Sequence, residues 1–222
     1  MNRMVEDLQK CKQCAAAEAV SSVQDGMTIG LGTGSTSVCA IALLAERIRK
    51  GLFIKAVASS FRSEDLAKKL GIQLIPFSQV STIDIYIDGA DEIDSELNLL
   101  KGGGGALLRE KMLVLHAKEF IVIADSSKRV ENLGSFPLPV EVVLFGMELI
   151  IKQLQKLGCT ASIRVKDNKA YTADNGNLII DCDFKKIEDV QQLHDSINNI
   201  PGVVENGLFV RSMVTRAIIG YD

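Results

Sequence analysis

The strongest constraint on the fold is a regular alternation of β-branched segments with helical segments, which follows a helical run at residues 5–24. Continuous apolar runs of this kind are typical of parallel strands that are buried on both faces. We therefore expect an α/β fold with a doubly wound, mainly parallel, Rossmann-like sheet. The predicted strands lie in MTIGL, FIKAVASS, IQLIPF, TIDIYID and EFIVIAD, and the predicted helices between them are SVCAIALLAERIRKG, SEDLAKKLG (with Ser63 as its N-cap) and residues 106–117.

The pattern changes after Asp125, where the segment SSKRVENLGSFPLP contains two prolines and loop-forming residues. The predicted elements beyond it follow the order β-α-β-β-α-β, which indicates a smaller ferredoxin-like α+β domain. The last segment, TRAIIGYD, has the composition of a strand that returns to the first sheet. We place one domain at residues 1–127 plus 205–222 and the other at 128–204.

Composition and charge exclude several classes of protein. The net charge of -3 provides no basic surface for nucleic acid, and no apolar run is long enough to span a membrane. The N-terminus lacks the apolar core of a signal peptide, and five cysteines cannot all pair, so we expect a cytoplasmic protein with reduced thiols. Cys11 and Cys14 form a CxxC inside a helical run, but a structural zinc site needs four ligands, so no metal is predicted.

A glycine-rich turn, GLGTGST at residues 30–36, lies between the first predicted strand and the next helix. Its amides, its hydroxyl groups and the positive end of the helix dipole suit a phosphate group. It is neither a Walker A loop nor a dinucleotide fingerprint, because no GK[ST] follows and the next strand ends in Ser59 and Ser60 rather than an acidic residue. Two explanations stay open: a phosphate site for a small ligand, or a tight strand-to-helix turn.

An acidic cluster follows the strand TIDIYID. Asp88 and Asp91 come at the carboxyl end of that strand, where ligands bind in open parallel sheets. The spacing of the carboxylates does not fit an EF-hand calcium loop. A solvated acidic loop is the simplest explanation for Glu92, Asp94 and Glu96.

Lys101 precedes four consecutive glycines and a helix that contains Glu110. Four glycines are conformationally unfavourable, so they indicate either a close approach of backbone amides to a ligand, as in an oxyanion hole, or a flexible hinge. Glu110 lies between Leu107 and Val114, and it is either a partly desolvated base or an exposed helical glutamate. Carboxylates, a cation and bare amides together favour proton transfer next to a carbonyl group.

These motifs, in this order and spacing, resemble the type A ribose-5-phosphate isomerases. The resemblance covers nearly the whole chain. It implies interconversion of ribose 5-phosphate and ribulose 5-phosphate in the pentose phosphate pathway through an enediolate, with no metal or organic cofactor, by a homodimer or tetramer. The segments that carry it are GLGTGST, YIDGADEID, LKGGGGALLREKM, IADSSK, FPLPVEV, DNGNLIIDCDF and INNIPGVVENGLF.

The resemblance also implies a role for each site residue. Glu110 would carry the proton between C1 and C2, Asp88 would assist ring opening and hydroxyl proton transfer, and Asp91 with Lys101 would position and polarise the oxygens. The amides around Gly102–Gly104 would stabilise the enediolate oxygen. Lys12 and Lys128 would hold the phosphate. The residues expected to bind substrate are Thr33, Gly34, Ser35, Thr36, Gly89, Ala90, Gly102, Gly103, Gly104, Lys128 and Lys12.

Other functions predict different features. A sugar-phosphate sensor without turnover would be expected to lose Glu110 or Lys101 and to gain a DNA-binding segment. An aminosugar-phosphate deaminase would use a histidine, and only His116 is near the motifs. An acyl transferase would attack through a glutamate on another loop and consume coenzyme A, and a metal-dependent sugar isomerase would lose activity on chelation.

Overall fold

The structure, a computed structural model, describes residues 2–221, with side chains from residue 7 onward. The chain divides into two compact units. The first comprises Met1–Ala90, Arg109–Lys128 and Ser212–Asp222, and the second comprises Asp91–Leu108 and Arg129–Arg211. These units differ from the domains expected from the sequence mainly at residues 91–108 and 205–211, which group with the second unit.

The described residues form helices and strands as follows, with short 3₁₀ turns at Phe77–Gln79, Ser126–Lys128 and Arg211–Met213. The helices are α1 (Asn2–Ser21), α2 (Ser35–Arg49), α3 (Phe61–Lys69), α4 (Leu107–Leu115), α5 (Met147–Gln155) and α6 (Val190–Asn198). The strands are β1 (Thr28–Leu31), β2 (Lys55–Ala58), β3 (Ile83–Asp88), β4 (Glu92–Ile93), β5 (Leu99–Leu100), β6 (Ala117–Asp125), β7 (Leu138–Val142), β8 (Thr160–Ile163), β9 (Val165–Lys166), β10 (Lys169–Ala170), β11 (Leu178–Asp183), β12 (Val203–Asn206), β13 (Leu208–Phe209) and β14 (Arg216–Gly220).

The first unit is built on a parallel sheet with the strand order β14-β6-β3-β1-β2. All four strand pairings in it are parallel, which confirms the fold class predicted from the β-branched segments. The segment TRAIIGYD forms β14 beside β6, as expected. The apolar side chains of these strands pack against α1 and α2, so the sheet is buried and its carboxyl ends are left to carry loops.

Two details of the first unit differ from the sequence prediction. The segment IQLIPF forms no strand, because it bridges the edge strand β2 only at Leu74, and the Pro76 that follows has no amide to donate. Helix α3 is capped by Ser60 rather than Ser63. Ser60 has an extended backbone just before the helix, and its Oγ accepts a hydrogen bond from the Ser63 amide at 3.1 Å.

The second unit contains a four-stranded antiparallel sheet with the order β12-β7-β11-β8. With α5 between β7 and β8 and α6 between β11 and β12, this is the βαββαβ arrangement predicted from the sequence. The unit also holds a β9–β10 hairpin and a small sheet of β13, β5 and β4. That small sheet was not predicted, because strands of two residues are too short to give a periodic pattern.

Several features are not found in the described part of the chain. No helix there has the length and apolarity to cross a membrane. No group of three or more histidine, cysteine, aspartate or glutamate side chains among the described residues is arranged to hold a metal ion. The CxxC lies on α1, where Cys11 is buried and Cys14 is exposed.

Candidate active site

The glycine turn after β1 allows close packing against β3. A Cβ atom on Gly32 would lie 2.1 Å from Oδ1 of Asp88, and one on Gly30 would lie 2.5 Å from Cδ2 of Tyr86. Gly34, which precedes α2, has a φ of 119°, a conformation that side chains rarely adopt. The glycines therefore bring the backbone of the turn directly onto two buried polar side chains.

Asp88 is the centre of this arrangement and is fully buried. Its Oδ1 accepts hydrogen bonds from the Thr33 amide at 2.9 Å, from Ser37 Oγ at 2.9 Å and from the Gly89 amide at 2.7 Å. Its Oδ2 accepts one from the Tyr86 hydroxyl at 2.5 Å. Four donors from β3, the glycine turn and α2 thus fix the orientation of one carboxylate.

The hydroxyl of Tyr86 is bonded to Asp88 and lies within the electrostatic influence of a second buried carboxylate, Glu110. Burial raises the pKa of Tyr86 well above its usual value, and the negative charges of Asp88 and Glu110 raise that pKa further. The ring is stacked on Phe120 with centroids 5.1 Å apart. Glu110 itself is only 3% exposed on α4, so the structure favours the desolvated glutamate over the exposed one.

A cluster of hydroxyl groups surrounds Thr33. Its serines belong to SSFRSE, a segment whose place after a strand made it a candidate in the sequence, although no role was predicted for the individual serines. Thr33 Oγ1 lies 2.9 Å from Ser59 Oγ, 2.7 Å from Ser60 Oγ and 3.1 Å from Ser63 Oγ. Ser63 Oγ also donates to the Gly32 carbonyl at 2.6 Å. The available signal was the position of the serines directly after β2, because neighbouring parallel strands end at the same edge of a sheet.

Lys12 and Ser35, both candidates for phosphate binding, are in contact. The ammonium of Lys12 donates to Ser35 Oγ at 3.1 Å and lies 3.8 Å from Oδ2 of the buried Asp125. Ser35 is the first residue of α2, and the buried Thr36 follows it. Lys128 ends the 3₁₀ turn that follows β6 and is half-buried. A cation at a helix N-terminus is a favourable environment for an anion.

The remaining candidates, Asp91, Lys101 and the glycine run, lie in the second unit. Oδ2 of Asp91 accepts a hydrogen bond from the Gly103 amide at 2.8 Å. Lys101 is 2% exposed, its amide donates to the Gly207 carbonyl at 2.8 Å, and its ammonium lies 5.4 Å from the centroid of the Phe209 ring. A buried ammonium of this kind acts strongly on nearby charge, because it is poorly screened by water.

The glycine run is ordered by contacts within the second unit. Gly102 and Gly105 have φ values of 98° and 78°, and a Cβ atom on Gly105 would lie 2.4 Å from the Tyr171 ring. Arg164 and Tyr171 donate hydrogen bonds to carbonyls of the run. These contacts favour an ordered loop over a flexible hinge, and close packing against the Tyr171 ring accounts for one of the four glycines.

Glu92 does not belong to a solvated acidic loop, so that expectation was wrong. Glu92 is 4% exposed, and its carboxylate accepts the Gly134 amide at 2.7 Å and the Phe136 amide at 2.6 Å. The pairing of β4 with β5 holds Glu92 in a buried position that the sequence pattern did not reveal. Asp94 instead organises the following turn by accepting the Glu96 amide at 2.9 Å.

The first unit has the α/β architecture in which ligands bind beyond the carboxyl ends of parallel strands. Its glycine turn, serine cluster, Gly89 and the Lys128 turn all follow the carboxyl ends of parallel strands. Residues 55–222 match the family model described as ribose 5-phosphate isomerase A (phosphoriboisomerase A).

Comparison with individual proteins gives the same family. The chain is 50% identical over 214 residues to ribose-5-phosphate isomerase A of Bacillus mycoides strain KBAB4, which covers 96% of each chain. The solved ribose 5-phosphate isomerase A of Methanocaldococcus jannaschii superposes with a TM-score of 0.91 at 44% identity, covering 98% of this chain and 96% of that one. A solved D-ribose-5-phosphate isomerase in complex with phospho-erythronic acid gives a TM-score of 0.93 at 39% identity, covering 96% and 95%.

The chain therefore belongs to the ribose 5-phosphate isomerase A family, which interconverts ribose 5-phosphate and ribulose 5-phosphate. The resemblance noted in the sequence and the isomerase activity expected from it are confirmed.

Proposed function

We propose that this isomerase transfers one proton between C2 and C1 of its open-chain substrate, with the carboxylate of Glu110 as the base. Glu110 takes the proton from C2 of the aldose, the electron pair forms the C1–C2 double bond, and the aldehyde oxygen becomes the enediolate oxygen. The same proton carrier then protonates C1. The proton on O2 passes to O1, so that C1 carries a hydroxyl group and C2 becomes the carbonyl carbon of the ketose. The burial of Glu110 is the observation that carries this assignment, because a desolvated carboxylate is a stronger base than an exposed one.

In this scheme, the oxygen atoms of the substrate are positioned and stabilised by Asp88, Asp91 and Lys101. Asp88 assists ring opening and the exchange of the hydroxyl proton, and its four hydrogen bonds support that role by fixing its position. Asp91 positions the substrate hydroxyls, and the buried ammonium of Lys101 stabilises developing negative charge. The amides of Gly102–Gly104 supply further donors to the enediolate oxygen.

The phosphate is held by Lys12, Lys128 and residues 33–36, with Gly89 and Ala90 beside the sugar. The contact between Lys12 and Ser35 at the start of α2 supports this part of the proposal. The ligand of the solved relative, phospho-erythronic acid, carries a phosphate and a carboxylate. A carboxylate resembles an enediolate in its planar shape and negative charge, so the same compound is a suitable inhibitor for this chain.

We also propose an assembly and a location for this chain. We expect a cytoplasmic homodimer or tetramer that acts on a sugar phosphate and binds no nucleic acid. The net charge of -3 supports the last point, because nucleic-acid binding relies on a basic surface.

The test of the proposed base is Glu110→Gln, with Glu92→Gln as the control. Both glutamates are buried, but Glu92 holds backbone amides of the second unit. We expect kcat of Glu110→Gln to fall by at least ~10²-fold, the usual effect of removing a positioned base, with little change in KM. Glu92→Gln should lose stability and keep its turnover. Near-normal turnover in Glu110→Gln would assign the base to Asp88 or Asp91 instead.

A further inference from the structure

We propose that Arg164 is a positioning residue for the isomerase reaction. It holds the carbonyl groups of the glycine run so that the amides of Gly103 and Gly104 point toward the reacting oxygens. Neither the motifs nor the family resemblance assigned a role to Arg164. The inference rests on the proposed function, because it concerns the donors that stabilise the enediolate.

Three successive carbonyls of the glycine run accept hydrogen bonds from side chains of the second unit. Nη1 of Arg164 donates to the Gly102 carbonyl at 2.9 Å and to the Gly103 carbonyl at 3.1 Å. The Tyr171 hydroxyl donates to the Gly104 carbonyl at 3.1 Å. The carbonyl side of each of these peptide groups is therefore fixed from outside the loop.

Because a peptide group is planar, a hydrogen bond that fixes its carbonyl also fixes the direction of its amide. In a trans peptide the N–H points opposite to the carbonyl of the preceding residue. When the Gly102 and Gly103 carbonyls face Arg164, the amides of Gly103 and Gly104 must face away from it. The Gly103 amide does so, since it donates to Oδ2 of Asp91 at 2.8 Å. The same planarity requires the Gly104 amide to face away from Arg164, because the Gly103 carbonyl faces it.

Arg164 is itself held rigidly. Its Nε and Nη2 bind the two carboxylate oxygens of Asp181 at 2.9 and 2.5 Å, a bidentate pair in which only Nη1 is left for the loop. Asp181 lies on β11 in the centre of the antiparallel sheet, and the Arg164 carbonyl accepts the Tyr171 amide at 2.8 Å. The negative charge of Asp181 also offsets the positive charge of the guanidinium. Arg164 therefore orders the glycines without adding net charge beside them.

The glycines make these hydrogen bonds from Arg164 and Tyr171 necessary. Because glycine populates many backbone conformations, a run of four would leave the amides poorly oriented without external contacts. Donors that stabilise an oxyanion act only when they are preorganised, and removal of one such donor lowers kcat by roughly 10²–10³-fold. Misorientation should have a smaller effect than removal, so we expect loss of Arg164 to lower kcat by about tenfold or more while the ground-state affinity changes little.

The test compares Arg164→Ala with Arg47→Ala. Arg47 is a suitable control, because its Nη1 also donates to a backbone carbonyl, that of Val20, at 2.5 Å, and neither residue is a candidate site residue. Steady-state kinetics are measured with ribose 5-phosphate, with and without millimolar guanidinium ion. Arg164→Ala should lose kcat by about tenfold or more with KM within about threefold, and guanidinium should restore part of it. Arg47→Ala should keep its kcat and show no response to guanidinium.

Tyr171→Phe provides the second variant, since it removes only the hydroxyl that holds the Gly104 carbonyl and preserves the fold. We expect kcat to fall about threefold or more. Wild-type kcat in Tyr171→Phe and in Arg164→Ala would overturn the proposal, as would a loss in Arg164→Ala that guanidinium does not restore. Glu110→Gln separates this failure from that of the proposed function: if Glu110→Gln is inactive while both of these variants are fully active, only the role of Arg164 is wrong.

Discussion

Replacement of Gly32 by alanine is a stringent test of the packing between the glycine turn and Asp88. The new Cβ would lie 2.1 Å from Asp88 Oδ1 and 2.6 Å from the Cα atom of the same residue. Ordinary contacts between non-bonded atoms are ~3.5–4.0 Å, so the turn and β3 must separate by roughly 1 Å or more. That shift would break the hydrogen bonds from the Thr33 amide and Ser37 to the carboxylate.

The expected cost has two parts. Overpacking of a dense interior costs about 1–3 kcal/mol, and the weakened buried hydrogen bonds add about 1–3 kcal/mol. We therefore expect Gly32→Ala to lower the free energy of unfolding by about 2–5 kcal/mol. A displacement of ~1 Å in a catalytic group can lower turnover by ~10²-fold, so kcat should fall by about that factor.

The control is Gly51→Ala at the end of α2. Gly51 has a φ of 108°, and no atom lies within 4 Å of the place where its Cβ would stand, so alanine there meets backbone strain without a clash. Urea unfolding and steady-state kinetics on both variants separate the two effects. Gly51→Ala should lose about 1–2 kcal/mol and keep its kcat. The reasoning would be refuted if Gly32→Ala kept wild-type kcat and lost no more stability than Gly51→Ala.

Two further predictions concern the phosphate site and alkaline stability. Lys12→Gln should raise KM for ribose 5-phosphate by about tenfold through loss of a charged contact, with kcat little changed, whereas the exposed Lys10→Gln should match wild type in the same assay. Burial raises the pKa of Tyr86 in the folded state, so its contribution to stability is present below its unfolded pKa of about 10 and is lost as the pH rises above that value. Urea midpoints between neutral and strongly alkaline pH should fall less steeply in Tyr86→Phe than in wild type; equal slopes would contradict this assignment.

The architecture was predictable because the inner strands of the first sheet, β1, β3 and β6, are largely buried on both faces. Such strands appear as continuous β-branched runs, and the helices between them are long enough to show their own period. IQLIPF has the same composition but lies beside the edge strand β2, where only Leu74 pairs. Composition alone does not distinguish a paired strand from an extended segment at an edge.

The motifs identified the candidate residues but not the contacts that organise them. Glu110 was ambiguous because its neighbours Arg109 and Lys111 suggest an exposed face, yet Lys111 is buried as well. The bonds from Arg164 and Tyr171 to the glycine run join residues more than sixty positions apart. Contacts of that kind depend on strand order and register, which no local pattern contains.

The central claim is proton transfer through an enediolate without a metal ion, and the most direct test is turnover of ribose 5-phosphate by the purified chain in D₂O with excess chelator. We predict that ribulose 5-phosphate forms at the same rate as in D₂O without chelator, and that deuterium enters at C1. Deuterium would be incorporated because the proton held by the base exchanges with solvent during the lifetime of the intermediate. Absence of conversion, or conversion that stops with chelator and returns with a divalent cation, would contradict the account.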